Sequence, residues 1–127
     1  MVKYRLASIA EFRNMRETIK RAIVDFYPQG AELLYVALNE AVNNALFHGQ
    51  RDGFSPNVEI NLFRESNEVC IIVKHDGSGY DYPSRRKNQS ADSYDEHGRG
   101  IEIIEYCTDT LRFNASGNEL EMRKKII

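Results

Sequence analysis

Apolar residues recur along this chain with two different periods, and the changes of period mark out its elements. Val2, Tyr4 and Leu6 alternate with polar residues and predict a short strand over residues 2–6. Ser8-Ile-Ala-Glu11 has the form of a capping box, with Ser8 as N-cap and Glu11 at the third helical position. The helix it opens carries Ile9, Phe12, Met15, Ile19, Ala22, Ile23 and Phe26 on one stripe. It is expected to stop near Tyr27, because Pro28 disfavours helical geometry in the residue before it. A second helix is predicted from about Ala31 to His48, with Leu33, Leu34, Ala37, Leu38, Ala41, Ala45 and Leu46 as its apolar face. Gly49 fits a left-handed C-terminal cap, and His48 before it fits a packing or capping role.

Residues 50–56 read as a loop, and Val58, Ile60 and Leu62 then alternate as in a half-buried strand. A turn at Glu65-Ser-Asn67 leads to the continuously apolar strand Val69-Cys-Ile-Ile-Val73. Residues 80–97 are polar and without period, and a loop of that length in a small domain is usually functional. Ile101, Ile103 and Ile104 restore a helical pattern from Gly100 to Cys107. Leu111 and Phe113 begin a hairpin that turns at Ser116-Gly-Asn118 and is closed by Leu120, Met122, Ile126 and Ile127. Hairpin-joined strands with grouped helices predict an α+β two-layer sandwich, a mixed but mostly antiparallel sheet covered on one face by helices. No repeat or internal boundary divides residues 1–127, so one domain is expected.

Composition narrows the function classes. The 127 residues are 42% hydrophobic and 28% charged, ordinary for a globular domain. A net charge of −2 argues against a general nucleic-acid binder, which needs clustered Lys and Arg. The basic runs Arg85-Arg-Lys87 and Arg123-Lys-Lys125 are short and read as solvated surface. No stretch approaches the roughly 18 apolar residues of a membrane helix, and the N-terminus lacks a signal-peptide core. Cys70 and Cys107 form neither a disulfide framework nor a metal spacing, and each sits in an apolar run. Buried free thiols in a reducing, cytoplasmic setting are expected.

Candidate chemistry begins in the second helix. Glu40 and Asn44 stand four residues apart and project from one side, one turn apart. A carboxylate can take a proton from a hydroxyl, and a carboxamide oxygen is a hard ligand suited to Mg²⁺. Two polar residues on an amphipathic helix are also compatible with plain solvated surface. However, adjacent Asn43 and Asn44 are poor helix formers at mid-helix, which asks for a reason. Gly77-Ser-Gly79 follows a buried strand, where glycines permit close approach of a ligand to the backbone. Gly98-Arg-Gly100 precedes a helical pattern, so free N–H groups and the positive dipole end would face an anion, and Arg99 could add a charge-assisted contact. Each glycine pair alone is a weak signal; their order after the helix is more specific.

A helix with Glu-x-x-x-Asn, a strand ending in Gly-x-Gly, a polar lid and a second Gly-x-Gly opening a helix resembles the GHKL (Bergerat-fold) ATPases, which include gyrase and the catalytic domains of histidine kinases. The likeness sharpens toward the small anti-sigma-factor serine-protein kinases through Met15-Arg16, Glu40-Ala-Val-Asn-Asn-Ala-Leu-Phe-His-Gly49, Gly98-Arg-Gly-Ile-Glu-Ile-Ile104 and the closing hairpin. It covers essentially the whole chain. The resemblance implies a Bergerat fold with a lid at about residues 80–97, ATP and Mg²⁺ as ligands, and roles for individual residues. Glu40 would be the general base and Asn44 the Mg²⁺ ligand. Gly77 and Gly79 would pass beside adenine, while Gly98, Arg99 and Gly100 would cradle phosphates. It also implies phosphorylation of Ser or Thr on a STAS-domain anti-anti-sigma partner, sequestration of a sigma factor, and a homodimer as the branch's common state.

The chain departs from the family at the base pocket. His75 occupies the position of the usual acid in Asp-x-Gly-x-Gly, and Asp76 is one residue late. A one-residue shift in a strand turns the side chain to the other face, so Asp76 replaces the acid only across a bulge. Glu119 falls where the family often carries Thr on the last strand. Two readings stay open: Glu119 supplies the missing acceptor or pairs with His75 across the strands, or the pocket is degenerate and the fold acts as a protein-binding module alone. A separated histidine-kinase catalytic domain ranks lowest, since the first helix contains no His.

Overall fold

A computed structural model describes residues 1–51, 57–75, 96–115 and 117–126. Its elements are β1 (Val2–Leu6), α1 (Ile9–Phe26), α2 (Ala31–Arg51), β2 (Val58–Glu65), β3 (Glu68–His75), α3 (Glu96–Cys107), β4 (Thr110–Phe113) and β5 (Glu119–Lys125). The strands form one sheet in the order β1-β2-β3-β5-β4. Each described pairing is antiparallel, so the expected α+β sandwich is present, while the expected mixed sheet is antiparallel throughout its described pairs.

Local chemistry sets the helix boundaries at the N-terminal end. Ser8 Oγ accepts from the Glu11 N–H at 3.1 Å, and Glu11 Oε1 accepts from the Ala7 N–H at 3.2 Å. α1 closes with the Tyr27 N–H donating to the Ile23 carbonyl, one residue before Pro28. Two boundaries differ from expectation. α2 runs through Gly49 to Arg51, so Gly49 is not a left-handed cap. A glycine costs a helix interior only about 1 kcal/mol, which helix continuation around it outweighs. α3 starts at Glu96 rather than Gly100, which places Gly98, Arg99 and Gly100 inside its first turns. Positions 96 and 97 of the expected lid are therefore helical, and the rest of the lid lies outside the described residues apart from these two.

Cross-strand register creates the core. On the helix-facing side, Tyr4, Ile60, Val73, Leu120 and Phe113 lie in one row across the sheet, and Val2, Leu62, Ile71, Met122 and Leu111 in the next. α1 covers this face with Phe12, Ile19 and Ile23, and α2 with Leu34, Ala37, Leu38, Ala41, Val42, Ala45 and Leu46, all buried. Each large aliphatic side chain so buried contributes about 1.5–3 kcal/mol. The apolar face of α2 is rotated slightly from expectation: Leu33 is 44% exposed and Val42 is buried. α3 packs on α2, with Ile101, Ile104 and Cys107 directed inward. Both cysteines are buried and unbridged.

Candidate functional site

α2 lies on the sheet through its small residues Ala41 and Ala45, and this close seating brings the side chain of Asn44 onto the ends of β3 and β5. A cavity opens there. Ala41, Ala45, Val73, Leu120 and Phe113 form its apolar walls, and Asn44, His75, Gly117, Asn118 and Glu119 supply its polar border. Asn44 is 8% exposed, and its Oδ1 is buried without a hydrogen-bond partner. An orphaned acceptor of this kind costs about 1–3 kcal/mol unless a ligand satisfies it. It fits a hard cation that keeps several waters and shares substrate phosphates, as Mg²⁺ does, rather than one held in an all-protein cage. Among the described residues, no group of three or more His, Cys, Asp or Glu is placed to hold a metal.

Glu40 stands one turn before Asn44 and is half-buried between α2 and α3. A β-carbon at Gly100 would lie 3.3 Å from Glu40 Oε2. Gly100 thus gives the carboxylate its room. Because α3 starts at Glu96, the backbone N–H of Gly98 falls in its first turn, where helical N–H groups have no partner within the helix, and that of Arg99 is the first placed to bond back along it. Gly100 lies one residue further in, so its role is spatial rather than that of a free donor.

The opposite border is built by the β4–β5 turn. Asn114 Oδ1 accepts from the N–H groups of Asn118 and Glu119 at 3.0 and 3.2 Å, and its Nδ2 donates to Asn118 Oδ1 at 2.8 Å. Gly117 takes the left-handed conformation, φ 75°, that the turn requires. The clasped turn reaches β3 directly: the His75 N–H donates to the Asn118 carbonyl at 3.0 Å. His75 is 5% exposed and continues the helix-facing row Leu6–Val58–His75.

Glu119 and His75 do not stand opposite one another. β5 sets Glu119 against Lys74, and Leu120 against Val73. Alternation then sends Glu119 toward the face of the sheet away from the helices, while His75 points into the cavity. The expected cross-strand pair is replaced by a Glu119–Lys74 position, although Glu119 still borders the cavity from the start of β5.

The structure therefore brings together Glu40, Asn44, His75, Gly100 and Glu119 of the expected site. Gly77 and Gly79, with Asp76, lie outside the described residues. Phe113 and Asn118 were not foreseen. The alternation of Leu111 with Phe113 already placed Phe113 on the core face; Asn118 had no local signal beyond its turn.

An ATPase-type match spans almost all of these elements: the histidine kinase-like ATPase domain matches residues 3–124. The chain belongs to this family. In this histidine kinase-like ATPase domain the matched segment runs from within β1 to within β5, so it includes every described site residue. The family is consistent with the GHKL superfamily and fits nucleotide binding. No curated protein matches the chain. Among the described residues, no helix is long and apolar enough to cross a membrane.

Proposed function

We propose that the chain binds ATP between α2, the end of β3 and the β4–β5 turn, and acts as an anti-sigma-factor-like serine/threonine protein kinase. Its substrate would be a STAS-type anti-anti-sigma protein, and partner switching with a sigma factor in the cytoplasm would regulate transcription. The observation that carries this reading is the orphaned, buried Oδ1 of Asn44, one helical turn from a carboxylate with room to work.

In this reading Asn44 would hold Mg²⁺, which when bound offsets phosphate charge. Glu40 accepts the proton of the partner's Ser or Thr hydroxyl as its oxygen forms the new bond to the γ-phosphorus and ADP departs. First-turn N–H groups of α3 orient phosphate oxygens. Most of the acceleration comes from positioning and electrostatics, which explains why so few titratable groups are needed.

Labelled ATP, Mg²⁺ and a cognate STAS protein provide the test, with wild type compared against Glu40→Gln. Transfer by wild type that falls by about 10²-fold or more in the variant supports the kinase. His75 at the base-reading position supports a second reading, a protein-binding module without nucleotide turnover. Complex formation with the partner, no transfer by either protein and no nucleotide binding would establish that one instead.

A further inference from the structure

We propose that the outer surface where α2 meets α3 docks a basic, amphipathic helical segment of a protein partner. This goes beyond the nucleotide chemistry proposed above and holds whether or not phosphoryl transfer takes place. Three observations lead there. The first is the course of the two helices. α2 reaches the cavity with Ala41, Asn44 and Ala45 in its second half. α3 leaves the same end, with Gly100 beside Glu40. It is followed by β4, whose first residue Thr110 pairs with Arg123 and whose last, Phe113, lines the cavity. The two helices are therefore antiparallel. At about 1.5 Å per residue, Leu33 and Val36 come level with the second half of α3.

The second is what stands along that seam. Ala37, Gly100 and Cys107 close it with small, buried residues. Helical spacing puts Leu33 on the stripe of Ala37 and Glu40, with Val36 beside it. It likewise puts Ile103 on the stripe of Gly100 and Cys107, with Tyr106 beside it. Leu33, Val36, Ile103 and Tyr106 are exposed by 44%, 41%, 36% and 84%. Of the large hydrophobic side chains exposed among the described residues, only Met1 and Val24 lie elsewhere, so the exposed apolar surface is concentrated here. A low seam between two apolar ridges suits the apolar face of a helix.

The third is charge. Residues 31–46 and 100–107 contain Glu32, Glu40, Glu102 and Glu105 and no Lys, Arg or His, in a chain with 17 basic and 19 acidic residues. Arg16 and Lys20 approach α2 on its other flank, at Asn39 and over the Tyr35 ring. Lys124, whose charge reaches Cys107, is paired with Asp109 at 3.7 Å. Acidic residues around apolar ridges favour Lys and Arg on the partner and repel anionic lipid and nucleic acid. The seam runs on to Glu40, so a segment lying along it ends beside that carboxylate.

The test is calorimetric titration of the full chain with a synthetic amphipathic helix of Leu and Lys, about 18 residues long so that it holds its helix in water. A helix with the same Leu pattern and Glu in place of Lys is the comparison. Wild type is expected to bind the Lys helix at least about tenfold more tightly than the Glu helix, with the difference shrinking as salt is raised. Leu33→Lys combined with Ile103→Lys is expected to weaken binding of the Lys helix by roughly tenfold or more, the scale of losing interface anchors. Val24→Lys, at the exposed apolar position of α1, is expected to change nothing, and circular dichroism confirms that each variant folds. No binding of the Lys helix, equal binding of the two helices, or an equal loss in Val24→Lys overturns the proposal. Binding to phosphatidylglycerol vesicles in place of the peptide also overturns it, since the surface would then be a membrane contact. Sedimentation that shows dimers dispersed by Leu33→Lys overturns it as well, because the occupant would then be a second copy of the chain.

Discussion

Gly100 of α3 lies so close to Glu40 of α2 that a β-carbon at Gly100 would stand 3.3 Å from Glu40 Oε2. The contact joins the first turns of one helix to the carboxylate proposed above as proton acceptor on another. It also sets two effects against each other. Alanine is worth about 1 kcal/mol more than glycine in a helix interior. The added methyl must also push the carboxylate aside by a few tenths of an ångström. Gly100→Ala is therefore expected to melt at the same temperature as wild type or slightly above it, while phosphoryl transfer falls roughly tenfold. Thermal denaturation beside a single-turnover assay separates the two; a variant that loses stability and activity together would show a packing role only.

Asn44 makes a similar trade visible from the other side. Its buried Oδ1 has no partner, so the fold carries the cost of desolvating it. Asn44→Ala removes that acceptor and leaves only a small void. Its stability without ligand is expected to stay within about 1 kcal/mol of wild type, against the 2–5 kcal/mol typical of large truncations in a core. The stabilisation that Mg²⁺ and nucleotide together give wild type is expected to disappear. Urea unfolding with and without Mg²⁺ and ATP measures both; a full ligand-induced shift in the variant would remove Asn44 from the site.

On the far face of the sheet, Arg123 gathers three carboxylates. It donates to Glu65, Glu121 and Glu68 at 3.1, 3.2 and 3.4 Å, and its guanidinium is held charged chiefly by the hydrogen bond to Glu121. Arg123→Gln leaves those acids facing one another. With the partners partly exposed, the expected loss is about 1 kcal/mol at low salt, shrinking as ionic strength rises. Denaturant titrations at two salt concentrations check this, and a salt-independent loss would mean that packing, rather than charge, is responsible.

Burial pushes both thiols above their ordinary value of 9.0, Cys70 under the open face of the sheet and Cys107 between α2 and α3. The fold therefore favours the neutral thiol. That contribution is complete below 9.0 and is lost as pH rises through the higher native values. Wild-type stability is expected to decline above that point more steeply than that of a Cys70→Ala, Cys107→Ala double variant. Neither thiol is expected to label with iodoacetamide at neutral pH unless denaturant is present. Parallel pH dependence in the two proteins would assign the alkaline loss elsewhere.

Much of the architecture was readable because its causes are local. The capping box at Ser8 and Glu11, the stop imposed by Pro28 and the alternation of Val58, Ile60 and Leu62 act within a few residues. Boundaries were readable only where such a signal exists. Gly49 suggested an end that α2 ignores, and α3 begins before the apolar period that announces it, because Glu96 to Gly100 offer no aliphatic residue from which to read a helical period. The face of α2 was readable to within a small rotation, which exchanged Leu33 for Val42.

The order of motifs along the chain was enough to name Glu40 and Asn44 together and to mark His75 as out of place. The sequence by itself thus determined the elements, the family likeness and the candidate chemistry, since spacing along a helix or strand dictates which side chains share a face. Only the tertiary structure decided that Asn44, not its half-buried neighbour Asn43, is buried with an unanswered oxygen, that Gly100 makes room for Glu40, and that Glu119 meets Lys74 instead of His75. These outcomes depend on how separate segments pair and pack. A shift of one residue in strand register exchanges one face of the sheet for the other, and no local pattern records which segment will lie alongside.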